Sequence, residues 1–203
     1  MYPFLETIRL QKGYMTPWED HQQRVDRTFQ HFGAKPSLQV RTVLSGLDLP
    51  DGQIYKVSLW YSLEGDTHIK WQPYQARSIR TIKLMPLPEV DYSFKFADRG
   101  WINELVKQAG TDDILLHDQG FIRDASYANV ALFDGKEWFT PLQPLLAGTH
   151  RERLLRQGRI CTENIHIEDL GRFQEMRWIN ALMEWDEASR INKEGLQQLV
   201  LKV

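Results

Sequence analysis

A proline-containing segment near the middle of the chain constrains the fold more than any other feature. This segment, MPLPEVDYSF (85–94), carries Pro86 and Pro88. Proline removes a backbone donor and interrupts regular pairing. Helical and strand patterns occur on both sides of it. We therefore predict an α+β protein with a small domain at 1–85, a linker at 86–92 and a larger domain at 93–203.

The first domain is predicted to combine a sheet with two helices. FLETIRL (4–10) alternates apolar and polar residues, as a half-buried strand does. Val25, Phe29 and Phe32 follow at i, i+4 and i+7, which predicts an amphipathic helix over 18–32. The other predicted elements are a short helix at 36–47 and strands at 54–62, 67–72 and 76–84.

The second domain is predicted to contain two hairpins, followed by further helices and strands. The hairpins lie at 112–126 and 127–141, where Gly120 and Gly135 suit tight turns. The other predicted elements are helices at 101–109, 149–157, 167–173 and 194–202 and strands at 159–165 and 176–183.

The composition argues against several classes of protein. A net charge of -2 over 203 residues disfavours a nucleic-acid-binding protein, because such domains carry surplus basic residues. No apolar run reaches the ~18–20 residues that span a bilayer, and no cleavable leader pattern is present. The single cysteine, Cys161, cannot form an internal disulfide or a cysteine-based zinc cluster. We expect a cytoplasmic protein with no membrane or nucleic-acid partner and no metal site.

Lys95 is the first of three local features that could carry chemistry. It lies between Phe94 and Phe96, where desolvation would lower the pKa of its amine and make it a nucleophile or Schiff-base former. Strand alternation offers the simpler explanation, in which the two rings face the core and the amine faces solvent. The local sequence favours the simpler one.

The other two features are a helix start and a pair of basic residues. In LLAGTHRERLL (145–155), a glycine and a threonine precede a helical pattern, so free backbone N–H groups could bind a phosphate. An ordinary threonine N-cap explains the same pattern. His21 and Arg24 stand at i and i+3 on the first helix, where they could reach one ligand or simply face solvent.

The order of these motifs resembles the class IV aminotransferases, which are pyridoxal 5'-phosphate (PLP) enzymes of fold type IV. The similarity to aminodeoxychorismate lyases is greatest in KFADR and NALM. It implies a two-domain fold like that of D-amino-acid aminotransferase, a PLP cleft between the domains, a small-molecule amino substrate and a homodimer. The matching segments are FLETIRL (4–10), DHQQR (20–24), KFADR (95–99), IRDASYANVALF (122–133), LLAGTHR (145–151) and WINALM (178–183).

The resemblance also implies roles for individual residues. Lys95 would form the Schiff base with PLP and act as the catalytic residue, and Arg24 would pair with the cofactor phosphate. Asp124 would face the pyridine nitrogen, with Asn129 as the asparagine of the same motif. Asp124 stands where the family usually has glutamate, and Gly100 stands where branched-chain aminotransferases have a tyrosine.

The remaining implied contacts are with the phosphate. The backbone N–H groups of Thr149 and His150, which follow Gly148, would bind it, and Asn180 would lie nearby. The implied reaction is that of a 4-amino-4-deoxychorismate lyase, a β-elimination that releases pyruvate and 4-aminobenzoate. Two alternatives remain open at the level of sequence: an amino-acid transaminase of the branched-chain or D-amino-acid type, and a non-catalytic binding protein with the same fold.

Overall fold

Residues from both sides of the proline-containing segment contribute to each of two structural units. The computed structural model describes residues 3–11, 14–15, 17–50 and 52–200. The first unit consists of Met1–Gln75 and Phe94–Asp98, and the second consists of Ala76–Ser93 and Arg99–Val203. The sequence instead places the junction at 86–92.

The first unit is built on a four-stranded antiparallel sheet of order β2-β1-β3-β4. The predicted strand at 4–10 and helix at 18–32 are confirmed, whereas the helix predicted over 36–47 is shorter. The elements of this unit are β1 (Phe4–Gln11), β2 (Tyr14–Met15), α1 (Trp18–His31), α2 (Val40–Ser45), β3 (Ile54–Tyr61) and β4 (Thr67–Pro73).

The core of the first unit extends to the segment that carries Lys95. Phe94 and Phe96 pack against the same cluster as the fully buried Val25 and Phe29 of α1. Phe96 stacks on Phe4 with ring centroids 5.5 Å apart. The two phenylalanines that flank Lys95 therefore contribute to the core, as strand alternation predicts.

Two backbone hydrogen bonds attach this segment to the start of the chain. The amide of Leu5 donates to the carbonyl of Lys95 over 2.9 Å, and the amide of Ala97 donates to the carbonyl of Pro3 over 2.8 Å. These bonds and the ring packing explain why Phe94–Asp98 belongs to the first unit.

The second unit contains a three-stranded sheet of order β5-β6-β7 and a five-stranded sheet of order β10-β9-β8-β11-β12. Strand β5 is parallel to β6 and β10 is parallel to β9, while the other pairs are antiparallel. The elements are β5 (Ile82–Pro86), α3 (Gly100–Ala109), β6 (Asp113–Asp118), β7 (Phe121–Ala125), β8 (Asn129–Phe133), β9 (Trp138–Pro141), α4 (Thr149–Arg156), β10 (Cys161–Glu163), a 3-10 helix (Ile167–Arg172), β11 (Glu175–Ile179), a 3-10 helix (Trp185–Glu187), β12 (Arg190–Asn192) and α5 (Lys193–Val200).

Both predicted hairpins are confirmed, but the strand predicted at 76–84 is not formed in full. Only its C-terminal end is present, as β5. The backbone amides of Arg80 and Thr81 donate to the Asp112 carboxylate, both over 2.9 Å, instead of joining a sheet. The end of the last predicted helix, at 201–202, lies outside the described residues.

Trp178 on β11 stabilises the sheet that carries part of the candidate site. Its ring is fully buried, and its indole N–H donates to the Asp113 carboxylate over 2.7 Å. β11 pairs with β8, whose first residue is Asn129.

In the part of the chain that the structure describes, no helix combines the length and hydrophobicity needed to cross a membrane.

Candidate active site

Arg24 and His21 contact a single carboxylate, that of Glu6 on β1. The Nε and Nη2 atoms of Arg24 donate to Oε1 and Oε2 of Glu6 over 2.7 and 2.5 Å. Nδ1 of His21 lies 2.6 Å from Oε2 of the same carboxylate. All three side chains are buried. The i, i+3 spacing thus does bring the two basic residues to one group, and that group belongs to the protein.

The electrostatics of this cluster follow from burial and pairing. Burial alone would raise the pKa of Glu6, but the charge and hydrogen bonds of Arg24 and the hydrogen bond of His21 outweigh it and lower the pKa to about 2. Burial lowers the pKa of His21 even though Glu6 opposes that shift. At neutral pH the cluster therefore holds an ionised Glu6, a charged Arg24 and a neutral His21 that donates through Nδ1.

Glu6 is a residue that the sequence reasoning missed. Phe4, Glu6 and Ile8 occupy alternate positions of β1, and all three are buried. A carboxylate on the apolar face of a strand is unusual, because an ionised group is almost never buried without a partner. This placement was the available signal.

Lys95 lies in the first unit with this cluster. It is half-buried, and its charge is one of the influences that lower the pKa of His21. Its carbonyl accepts from Leu5, the neighbour of Glu6 on β1. Lys95, Arg24 and Glu6 therefore all lie in the first unit. Strand β1 carries Glu6 and is hydrogen-bonded to both Lys95 and Arg24.

Asp124 occupies a buried position on β7 in the second unit. Oδ1 accepts a hydrogen bond from the side-chain amide of Asn129 over 2.7 Å, and Oδ2 accepts from the backbone amide of Leu146 over 2.9 Å. Burial raises the pKa of Asp124 from its ordinary value of 3.8 to about 6, although these hydrogen bonds and the charge of Arg151 oppose the shift. The groups that donate to it, the Asn129 amide and the backbone amides of Leu145 and Leu146, are all neutral, so the site would favour a cation beside this carboxylate.

Asn129 connects Asp124 to the start of α4. Its amide nitrogen also donates to the carbonyl of Leu146 over 2.8 Å. Its Oδ1 lies so close to Gly148 that a Cβ there would be only 2.0 Å away. Position 148 therefore requires glycine for close approach, and one asparagine fixes both the carboxylate and the helix start.

Thr149 and His150 form the first turn of α4, with Gly148 as the N-cap. Backbone N–H groups in a first turn have no carbonyl partner within the helix and point toward an incoming anion. No side-chain cap is made by Gly148. The assignment of this helix start as a phosphate-binding site stays a prediction.

His150 also fixes the position of Asn180. Its Nδ1 lies 2.8 Å from the carbonyl oxygen of Asn180, so Nδ1 must carry the proton. Burial lowers the pKa of His150, which keeps the ring neutral. The Asn180 side chain accepts a hydrogen bond from the backbone amide of Leu182 over 2.8 Å. The second unit thus brings Asp124 and Gly148 together through Asn129, and connects His150 directly to Asn180.

Comparison with known proteins identifies what this arrangement is similar to. Residues 69–191 match the amino-transferase class IV family. An uncharacterised protein of Haemophilus influenzae is 34% identical over 186 residues, which are 90% of this chain and 98% of that protein. A candidate 4-amino-4-deoxychorismate lyase of Haemophilus somnus has a crystal structure with a TM-score of 0.80 and 33% identity, covering 90% of this chain and 97% of that chain.

A more distant structure extends the likeness in fold. A hypothetical aminotransferase of Mycobacterium tuberculosis, in its PLP-bound form, has a TM-score of 0.73 at 17% identity and covers 98% of this chain and 87% of that chain. The predictions of a fold type IV architecture and of PLP as the cofactor are confirmed. The chain belongs to the class IV aminotransferase family and is a PLP-dependent enzyme.

Proposed function

We propose that this enzyme is a lyase that acts on 4-amino-4-deoxychorismate and releases pyruvate and 4-aminobenzoate. The observation that carries the proposal is the set formed by Asp124, Asn129 and Gly148, in which one amide holds a buried carboxylate and a helix N-terminus in fixed relation. The choice of a lyase over a transaminase is supported by the likeness to the Haemophilus somnus protein.

The residues present fit PLP. A phosphate suits the first turn of α4, where Gly148 leaves no room for a side chain. A protonated pyridine nitrogen suits Asp124, a buried carboxylate that accepts hydrogen bonds from the neutral amides of Asn129 and Leu146. Lys95 supplies the amine, and Arg24 supplies a guanidinium for the phosphate. We therefore assign the cofactor contacts to Arg24, Lys95, Asp124, Gly148, Thr149, His150 and Asn180.

When bound, PLP supplies an electron sink that stabilises negative charge on the carbon bearing the substrate's amino group. Lys95 is the residue whose side-chain amine would hold PLP covalently. With substrate bound, the Lys95 amine would act as the general base that removes the proton from that carbon. The electron pair of that carbon–hydrogen bond would form the last double bond of the aromatic ring as the neighbouring carbon–oxygen bond breaks. The three-carbon unit would leave as the enolate of pyruvate, and the proton held by the Lys95 amine would convert it to pyruvate.

Asp124 and the phosphate contacts prepare the site for this step. An ionised Asp124 keeps a proton on the pyridine nitrogen through a charge-assisted hydrogen bond. The N–H groups of Thr149 and His150, together with Arg24, anchor the phosphate and limit movement of the ring. Asn180 fixes the His150 ring through its carbonyl.

The deciding experiment incubates the purified enzyme, loaded with PLP, with 4-amino-4-deoxychorismate and no 2-oxo acid. We expect pyruvate and 4-aminobenzoate in equal amounts. Replacing Lys95 with alanine should abolish both products and the labelling of this position by borohydride reduction. The control is Lys107→Ala, because the side chain of Lys107 is 81% exposed, and this variant should retain full activity.

Other outcomes support the alternatives. Amino transfer that requires a 2-oxo acid, without pyruvate release from 4-amino-4-deoxychorismate, would identify a transaminase instead. PLP binding with neither reaction would favour a non-catalytic binding protein, although such a protein has no need of a Schiff-base lysine.

We also propose that the enzyme is a homodimer, as the resemblance to fold type IV enzymes implies, and that it is cytoplasmic, as the single cysteine suggests. Sedimentation at micromolar concentration should give twice the mass of the chain, and a monomer would contradict the proposal. Fractionation of the source cells tests the compartment.

A further inference from the structure

Glu6 stands out among the buried charged groups because its two oxygens serve two different basic residues. Oε1 accepts from Nε of Arg24, while Oε2 accepts from Nη2 of Arg24 and from Nδ1 of His21. The Glu6 carboxylate is completely buried on the core face of β1. No role for it follows from the reaction steps above.

Stability alone is a weak explanation for this cluster. Desolvating two charges costs about as much as their attraction returns, so replacing a buried ion pair with apolar residues is often neutral or stabilising. Glu6 also occupies a position between Phe4 and Ile8 where an apolar side chain would continue the strand pattern. A role in orienting Arg24 explains the presence of this ion pair better than a contribution to folding stability does.

The geometry of the pair fixes the Arg24 guanidinium. Two parallel hydrogen bonds from Nε and Nη2 to one carboxylate define the plane of a rigid group. Neither of these two bonds uses the edge of the group that carries Nη1. Because the side chain is already ordered, a ligand that meets this edge does not have to order it.

We propose that Glu6 is a positioning residue, which holds the guanidinium of Arg24 in the orientation that binds the cofactor phosphate. This inference rests on the proposed function, in which Arg24 is a phosphate ligand. His21 assists by donating to the oxygen that Nη2 also contacts. The same strand supports Lys95, since Leu5 next to Glu6 donates to the Lys95 carbonyl. β1 thus orders both residues of the first unit that are assigned to the cofactor.

The test compares the affinity of the apoenzyme for PLP with its affinity for pyridoxal, which lacks the phosphate. In Glu6→Gln the amide keeps one acceptor oxygen but turns an NH₂ group toward the donors of Arg24, so the two-bond fork is lost. We expect PLP affinity to fall by roughly ten-fold or more, as loss of a charge-assisted hydrogen bond would give. Pyridoxal affinity should be unchanged.

The direction of the change separates positioning from simple charge. If Glu6 only neutralised Arg24, removing its negative charge would raise the local positive potential and strengthen the binding of the phosphate dianion. Unchanged or tighter PLP binding by Glu6→Gln would therefore overturn the inference. An equal loss for PLP and pyridoxal would also overturn it, because that result indicates general damage to the fold.

Two further variants complete the design. Thr28→Val removes a buried hydroxyl that donates to the carbonyl of Arg24 over 3.0 Å, and it should leave the ratio of PLP to pyridoxal affinity unchanged. If Glu6→Gln does not fold, Glu6→Asp replaces it. This variant keeps the charge but withdraws the carboxylate by one methylene, so the ratio should fall here too, and an unchanged ratio would contradict positioning.

Arg24→Ala distinguishes a failure of this inference from a failure of the proposed site. If Arg24→Ala lowers the ratio and Glu6→Gln does not, only the role of Glu6 is wrong. If Arg24→Ala leaves the ratio unchanged, Arg24 is not a phosphate ligand, and the assignment of the site falls together with the inference.

Discussion

The Asp124 carboxyl has properties that a stability measurement can detect in the apoenzyme. Its pKa in the folded protein, about 6, lies above its ordinary value of 3.8 because burial disfavours the charged form. The folded state therefore binds this proton more tightly than the unfolded state does. The resulting stabilisation is fully present below pH 3.8 and is lost as the pH rises through about 6.

Asp124→Asn should remove this dependence. The free energy of unfolding of the variant, minus that of the wild type, should rise by up to ~3 kcal/mol between about pH 4 and about pH 7. The altered hydrogen bonds to Asn129 and Leu146 add an offset that does not vary with pH. Urea unfolding of both apoproteins across this range measures the difference.

Two results bear on the interpretation of that series. With PLP bound, the rise should be smaller, because a pyridinium beside Asp124 would lower the carboxyl pKa. A difference that stays constant with pH in the apoproteins would show that Asp124 does not titrate in this range, and would contradict its raised pKa.

At the scale of single residues, the sequence predicts some positions well and others only through the resemblance. Phe94 and Phe96 follow strand alternation and face the core, which local sequence favours. The pairing of Arg24 with Glu6 depends on a contact between residues 18 positions apart, which no local pattern encodes. The raised pKa of Asp124 likewise depends on burial by distant parts of the chain.

At the scale of the element, the start of α4 has a geometry that leaves little room for substitution. Gly148 has no Cβ, and adding one would place it 2.0 Å from Oδ1 of Asn129. Asn129 cannot move freely because its amide is bonded to Asp124 and to the Leu146 carbonyl. A substitution at 148 must therefore displace either the helix start or the amide that supports the carboxylate.

Gly148→Ala should therefore weaken PLP binding as well as the fold. We expect a loss of about 1–3 kcal/mol in stability, the usual cost of overpacking. We also expect a PLP affinity lower by roughly ten-fold or more, since ~1.4 kcal/mol corresponds to a factor of ten. Thermal unfolding and fluorescence titration with PLP measure the two effects.

Gly171→Ala is the matched control, because a Cβ at Gly171 meets no atom within 4 Å. It should leave both stability and PLP affinity near the wild-type values. If Gly148→Ala binds PLP as tightly as the wild type does, the start of α4 is not the phosphate site.

Among the elements, the hairpins are the most predictable, because a glycine turn brings neighbouring strands together locally. The parallel pairing of β5 with β6 is less predictable, because Ile82 pairs with Asp113 and α3 lies between these two residues in the sequence. At 76–81 the β-branched pattern is overridden by Asp112, whose carboxylate takes the amides of Arg80 and Thr81. Propensity alone could not predict this competition.

At the scale of the whole molecule, the unexpected feature is that the first unit includes Phe94–Asp98. The prolines do interrupt the strand pattern, but the chain then contributes one extended segment to the first unit. That segment carries Lys95 and is held by backbone bonds and by Phe96 on Phe4. Composition could mark the interruption but could not show which core the segment would join.

Phe96→Ala tests this division of the chain. Phe96 is partly buried, so we expect a loss of about 2–3 kcal/mol, less than the ~3–5 kcal/mol of a fully buried phenylalanine. Because Phe96 packs on the core of the first unit, hydrogen exchange should become faster in β1 and β3. Exchange in β8 and β11 of the second unit should not change.

The control for this variant is Phe121→Ala on β7, because Phe121 is 43% exposed. Its stability should lie within about 0.5 kcal/mol of the wild type, as is usual for surface substitutions.

Faster exchange confined to β8 and β11 in Phe96→Ala would place this segment in the second unit. Faster exchange confined to β1 and β3 would mean that Lys95, the proposed covalent anchor of the cofactor, is supported by the same core as Arg24, so destabilising that core should release PLP before the second unit unfolds.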